Sequence, residues 1–147
     1  MVADQVMSAL REQVECYGRL AKLAELQHEH VQQGRTEGLL EVLGRRQDVL
    51  DEIARLEQVI VPAKRGWATY LAGLRHDQRV TAEKLLAETR RLLEQITAAD
   101  MSDCLVLQQR KMNLGKEIGK AAAAKTVNRQ YAAAAYGAKA AGMDVRR

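Results

Sequence analysis

Between Gly34 and Ile60, apolar residues recur at Leu39, Val42, Val49, Ile53, Leu56 and Ile60, spaced 3, 7, 4, 3 and 4, with Arg46 in the one vacant slot. This heptad seam constrains the chain more than any other feature, because such a stretch is a helix whose apolar stripe must be covered by another helix. Leu40, Leu43, Leu50 and Val59 flank the seam and widen it to a face that more than one helix can cover. Arg45, Gln47, Asp48, Asp51 and Arg55 lie opposite, and the i, i+4 pair Asp51 and Arg55 supports a solvated face.

The cover precedes the seam. From Ala3 to Gln33, Val6, Leu10, Val14, Tyr17, Ala21, Ala24 and Val31 trace a helical face broadened by Leu20 and Leu23. Gly34 sits where a left-handed C-cap is expected, and Thr36 is placed to cap the following helix. So short a link makes the two helices an antiparallel hairpin. Pro62 lacks the donor of a helix interior and predicts a helix boundary. Trp67, Tyr70, Leu71 and Leu74 form one face of a short helix expected to close the open end of the hairpin.

A third long helix follows, with Ala82, Leu85, Thr89, Leu92, Ile96 and Ala99 again in heptad spacing. Between Asp100 and Asp103 the apolar phase slips, which predicts a kink or a fresh cap at Ser102. Apolar positions resume at Leu107, Leu114, Ile118 and Ala121, expected to pack on the hairpin, before an Ala- and Gly-rich end. Phe is absent and Pro occurs once, so burial rests on Leu, Val, Ile, Ala and Met, and nothing alternates as a strand does. The expected fold is all-α: an antiparallel helical hairpin or bundle with coiled-coil packing of three long helices. Residues 1–126 form the bundle, and 127–147 a basic tail that is flexible or partly helical.

Several chemistries find no support. His28 and His30 are two apart, which on a helix points them in nearly opposite directions, whereas chelation needs i, i+4. The run from Gly115 to Ala121 resembles a phosphate loop, but it is one residue short between its glycines, ends in Ala and follows no strand. With no Ser, His and Asp grouping either, no enzyme, metal or cofactor is expected. Cys16 and Cys104 are isolated and read as small core residues kept as thiols. No stretch approaches the roughly 18–20 apolar residues of a membrane span, and the N-terminus lacks the features of a secretory signal, so a cytoplasmic protein without membrane insertion is expected.

Gly115, Gly119, Ala123, Val127 and Tyr131 form a row at a constant spacing of four, a ridge of small side chains that lets a second helix approach closely. It is rotated by one residue, about 100°, from the face of Leu114 and Ile118. Charge is segregated as well. Residues 1–61 carry 7 basic and 11 acidic side chains, while residues 101–147 carry 9 and 3, net +6.

The hairpin with Gly34 at its turn, followed by Leu39, Leu40, Leu43, Arg46, Gln47, Leu50, Ile53 and Leu56, resembles the first half of the FlgN-type chaperones of flagellar type III export. Asn113-Leu114-Gly115, Asn128, Tyr136-Gly137 and Asp144 are similar to that family's second half. The resemblance implies a small cytoplasmic chaperone that binds the C-terminal amphipathic helix of flagellar hook-associated proteins of the hook-filament junction. It would prevent their premature polymerisation and deliver them to the flagellar export gate. Leu114, Gly115, Ile118, Gly119, Ala123, Val127 and Tyr131 are then the substrate-binding residues, and Tyr136, beside Gly137, is the contact for the export machinery.

Two other classes compete: a coiled-coil scaffold that self-associates through the seam as a homodimer, and a nucleic-acid binder using the basic end. The basic end has no regular alternation of rings and cations. Filter-binding titrations with DNA and RNA at physiological salt are therefore expected to show no specific complex, and a submicromolar affinity with a steep salt slope would reverse that reading.

Overall fold

The structure is a computed structural model that describes residues 2–136, with side chains over residues 4–130. It is an all-α fold of four helices, α1 (Val2–Gln33), α2 (Thr36–Arg65), α3 (Trp67–Ala72) and α4 (His76–Tyr136), with no strand among the described residues. The chain divides into two units, Met1–Val106 and Leu107–Arg147.

In the first unit α1 and α2 form the expected hairpin. Gly34 has φ 66°, the left-handed conformation that lets the chain reverse without a β-carbon penalty. Gly38 lies under the ring of His30, which a β-carbon there would push aside. The antiparallel direction shows in the pairs across the hairpin, Gln27 with Arg46, Arg19 with Glu52 and Gln13 with Glu57. Thr36 does not cap α2. The N-cap is Arg35, without a side-chain cap bond, and the Arg35 amide instead donates to the His30 carbonyl.

Val42, Val49, Ile53, Leu56 and Ile60 of the seam are buried, while Leu39, at the turn end where cover runs out, is only half-buried. Opposite them α1 buries Val6, Met7, Leu10, Cys16, Leu20 and Leu23, and Leu10 and Ile60 are sealed from solvent at 0 % exposure. Pro62 does not end α2, which runs on to Arg65. The proline lies in the final turn on an exposed side, where it removes a single hydrogen bond close to a helix end. In α3, Trp67 and Tyr70 stack with ring centroids 5.3 Å apart and sit half-buried against the core with Leu71, and Leu74 just beyond is fully buried. The Arg79 guanidinium donates to the carbonyls of Leu71 and Leu74 and so ties the start of α4 to the break after α3.

Within the first unit α4 runs parallel to α1 and buries Ala82, Thr89, Leu92 and Ile96 in the expected register. No fresh cap interrupts the chain near Ser102, and α4 is one helix. The apolar phase does not slip there. The heptad continues from Ala99 to Asp103, which is 1 % exposed. Its carboxylate accepts from Gln27 Nε2 at 3.1 Å and lies 2.7 Å from His28 Nδ1. One turn earlier Asp100 takes a two-pronged pair from Arg46, at 2.7 and 2.8 Å, and Arg46 also donates to Gln27 Oε1 at 2.6 Å. Arg46, the vacancy in the α2 seam, thus belongs to a polar layer built by all three long helices. Cys104, adjacent to this layer, is exposed rather than core, because the seam residue at this level is Asp103.

Asp103→Ala removes the shorter of the two bonds made by the buried Gln27 amide, leaving only the 3.4 Å bond to Asp100, and is expected to lower stability by about 1–3 kcal/mol. Replacing Asp103 and Gln27 together by Leu removes both buried polar groups and is expected to recover most of that loss. Urea denaturation of the two variants checks the pair, and a double variant no better than Asp103→Ala would show the layer to be a plain stabiliser.

Candidate functional site

Two surfaces of the molecule carry apolar groups without cover. The first is the outer part of α4, from Leu107 on. Helical geometry places Leu107, Leu114 and Ile118 within about 40° of one another, and Met112, Gly119, Ala123 and Val127 on roughly the opposite side. Leu107, Leu114 and Ile118, expected on the hairpin, are exposed at 42, 57 and 61 %, and Met112 and Val127 at 58 and 46 %. A β-carbon added at Gly115 or Gly119 meets nothing within 4 Å, so both glycines lie on open surface, as Ala123 does. Side chains of Tyr131 and Tyr136 lie outside the described residues, although the backbone of α4 reaches Tyr136 as helix.

The row Gly115, Gly119, Ala123, Val127 and Tyr131 is therefore carried on one continuous helix. Each step of four residues advances by about 40°, so the row winds about 160° around α4 and a partner helix must cross it obliquely. Around it the surface is basic. Residues 107–130 hold six Lys and Arg and a single acid, Glu117.

The second surface is a groove of about 550 Å³ in the first unit, walled by Leu50, Ala54 and Glu57 of α2 and by Leu86, Arg90 and Leu93 of α4, with Gln13 and Tyr17 of α1 among its lining. It exists because α1 covers the seam from one side only. The flanking residues stay open: Leu43, Leu50 and Leu93 are 45, 39 and 45 % exposed. At one end Trp67 and Lys64 close it. Gln13, 1 % exposed, donates from Nε2 to Glu57 Oε2 at 2.6 Å, while its Oε1 is buried without a hydrogen-bond partner among the described residues. Burial raises the Tyr17 hydroxyl above its ordinary value, and the charge of Glu57 adds to that. Burial also pushes the Glu57 carboxyl up, but hydrogen bonds from Lys64 and Gln13 outweigh it and hold the group below its ordinary 4.5.

None of the groove residues was singled out as a site in the sequence. The signal was present in the flank of Leu43 and Leu50, which made the α2 face wider than one covering helix needs. The buried Gln13 was not visible, since a lone Gln inside an apolar period reads as a boundary residue. The His pair is divided, with His28 at the polar layer and His30 at the turn beside Arg35 Nε at 3.1 Å. Among the described residues no helix is long and apolar enough to cross a membrane. No family model, curated protein or solved structure matches the chain.

The depressed Glu57 carboxyl contributes stability that is present above its ordinary pKa and lost as pH falls through the lower folded value. Glu57→Gln is expected to be less stable than the parent near neutrality, with a smaller further loss on acidification below about pH 4.5. Urea midpoints across that range check it, and parallel curves would remove Glu57 from the linkage.

Proposed function

We propose that the chain is an export chaperone of the flagellar type III pathway, a cytoplasmic protein without catalytic activity or cofactor that holds hook-filament junction proteins by their C-terminal amphipathic helix. The observation that carries the reading is the outer part of α4, where Leu114, Ile118 and Val127 stand exposed on a helix that is already formed. Exposed apolar side chains in such number mark an interaction surface. An amphipathic helix is the partner that fits a ridge of small residues, because backbones approach closely there and i, i+3, i+4 anchors find the gaps between ridges. Gly115, Gly119 and Ala123 provide the approach, Val127 and Tyr131 the apolar area beside them, Leu114 and Ile118 are left to contacts of the substrate on the other side of α4, and the basic flank favours a substrate helix with acidic residues. Tyr136 is assigned to the export gate, where the tail would be read.

The resemblance to the FlgN-type family supplies the substrate class, and the surface supports a helix-binding role. Mixing the purified protein with a hook-filament junction protein is expected to give a stoichiometric complex on size exclusion. Val127→Asp is expected to weaken the complex at least about tenfold by burying an unpaired charge. Gly119→Leu is the sharper variant. The site of its side chain is open in the free protein, so the fold tolerates it, yet it blocks close approach. A Gly119→Leu protein that binds as the parent does would rule the ridge out, and no complex with any junction protein would end the export reading.

A further inference from the structure

The groove of the first unit is the open side of a helical bundle. Leu50, Ala54 and Glu57 on α2, and Leu86, Arg90 and Leu93 on α4, each repeat at spacings of four and three, so both walls present a heptad row. The α2 seam itself is covered by α1, and these rows are what remains for a further helix. Glu57 is already matched by Lys64 at 2.8 Å and by the Gln13 amide at 2.6 Å, which leaves Arg90 as the charge of the lining that no carboxylate offsets. Glu94, one turn further along α4, lies within about 40° of Arg90, and both are exposed. These four charges sum to zero and select neither a basic nor an acidic partner. An antiparallel copy of the same face is different, because reversal sets the cation of each against the acid of the other.

We infer that two copies of the chain pack groove to groove about a two-fold axis that crosses α4 near Leu92, with Arg90 of each copy against Glu94 of the other. The opposite wall agrees with that register. Arg46 on α2 is level with Asp100 on α4, where the two are bonded directly. The helices run in opposite directions, so the residue eight places on along α2, Ala54, is level with the residue eight places back along α4, Leu92. The axis that pairs the charges therefore crosses α2 at the smallest side chain of the groove lining, where a second α2 can approach most closely. In the set of four helices that results, α2 and α4 of each copy and their mates across the axis are all antiparallel neighbours, the arrangement of a four-helix bundle. Leu50, Leu86 and Leu93 of both copies fill its middle. The contact joins like surfaces, so it closes at a dimer. From Leu50 to Lys64 the face runs roughly 21 Å at 1.5 Å per residue and is two helices wide, which is small for a specific interface and makes the dimer a weak, reversible one. Residues 107–130 take no part, so the inference neither rests on the export reading nor uses its surface.

Sedimentation velocity over a concentration series tests it with the full-length parent, Arg90→Glu, Glu94→Arg, and the chain that carries both exchanges. Both positions are exposed, so the fold is expected to survive, with circular dichroism as the check. The parent is expected to form a dimer and nothing larger. Each single variant sets like charges against each other twice and is expected to need at least about tenfold higher concentration. The double exchange restores opposite charges at both contacts and is expected to associate as the parent does. An equimolar mixture of the two single variants is expected to recover as well, since one copy then carries two acids and the other two cations. Leu93→Lys, which places a charge in the middle of the four helices, is expected to abolish association. A parent that stays monomeric to about 100 µM, or that grows beyond a dimer, overturns the inference. So do single variants or a Leu93→Lys protein that associate like the parent, and a double exchange or a mixture that does not recover. All these variants are expected to bind a junction protein as the parent does, which separates failure of this idea from failure of the export reading.

Discussion

The Arg46–Asp100 pair, with Gln27 and Asp103 around it, fixes how the third long helix meets the hairpin. Leucine seams alone specify register weakly, because a shift of one heptad presents much the same apolar surface. Here a shift of seven residues brings Leu93 or Leu107 opposite Arg46 and takes Asp100 away. The guanidinium, with only 12 % of its side chain exposed, would then be a nearly buried charge without a carboxylate. The same shift would set Ile96 or Arg110 against Gln27 in place of Asp103. Such a layer gains little net stability over apolar packing, since desolvation offsets much of the attraction. Its effect lies in the gap between the observed register and its neighbours.

That layer also marks the boundary of what the residues reveal by themselves. The hairpin, its turn at Gly34 and the buried sets in α1, α2 and the first half of α4 follow from periodicity, because each position there is apolar for one reason. Arg46 and Asp103 break the period in two different helices, and each in isolation reads as a gap or a slip. Only their meeting in space turns two irregularities into one interaction. Thr36 and Pro62 mislead as well. Thr36 marks where α2 begins but makes no cap bond, whereas Pro62 is overruled by the apolar positions around it, which hold the backbone helical to Arg65.

The outer part of α4 and the groove share one physical origin. Three long helices carry more apolar surface than three helices can cover when α1 lies at the corner between the other two. The excess appears as Leu43, Leu50 and Leu93 beside the core and as Leu107, Leu114 and Ile118 further along α4. Of the substrate-site residues named from the sequence, those with described side chains are brought onto one exposed helix. The groove stayed illegible because it consists of flanking residues, each unremarkable alone, and of one Gln whose burial depends on three helices at once.

Residues 107–136 raise a separate question, since a segment with so little burial is expected to be only partly helical when free. What changes the balance is continuity with the preceding residues of α4. The unfavourable step in helix formation is the first turn, and residues 76–106 have already formed it under tertiary packing. Each further residue then needs only propagation, which Ala, Lys, Gln, Arg and Leu favour, and Gly115 and Gly119 oppose by about 1 kcal/mol each. The run Ala121–Ala124 lies where it offsets those two glycines. A helix that is formed before its partner arrives presents Leu114, Ile118 and Val127 without a folding cost at the moment of binding. Association on this part of α4 is therefore governed by the depth and charge of what docks, rather than by ordering of the segment itself.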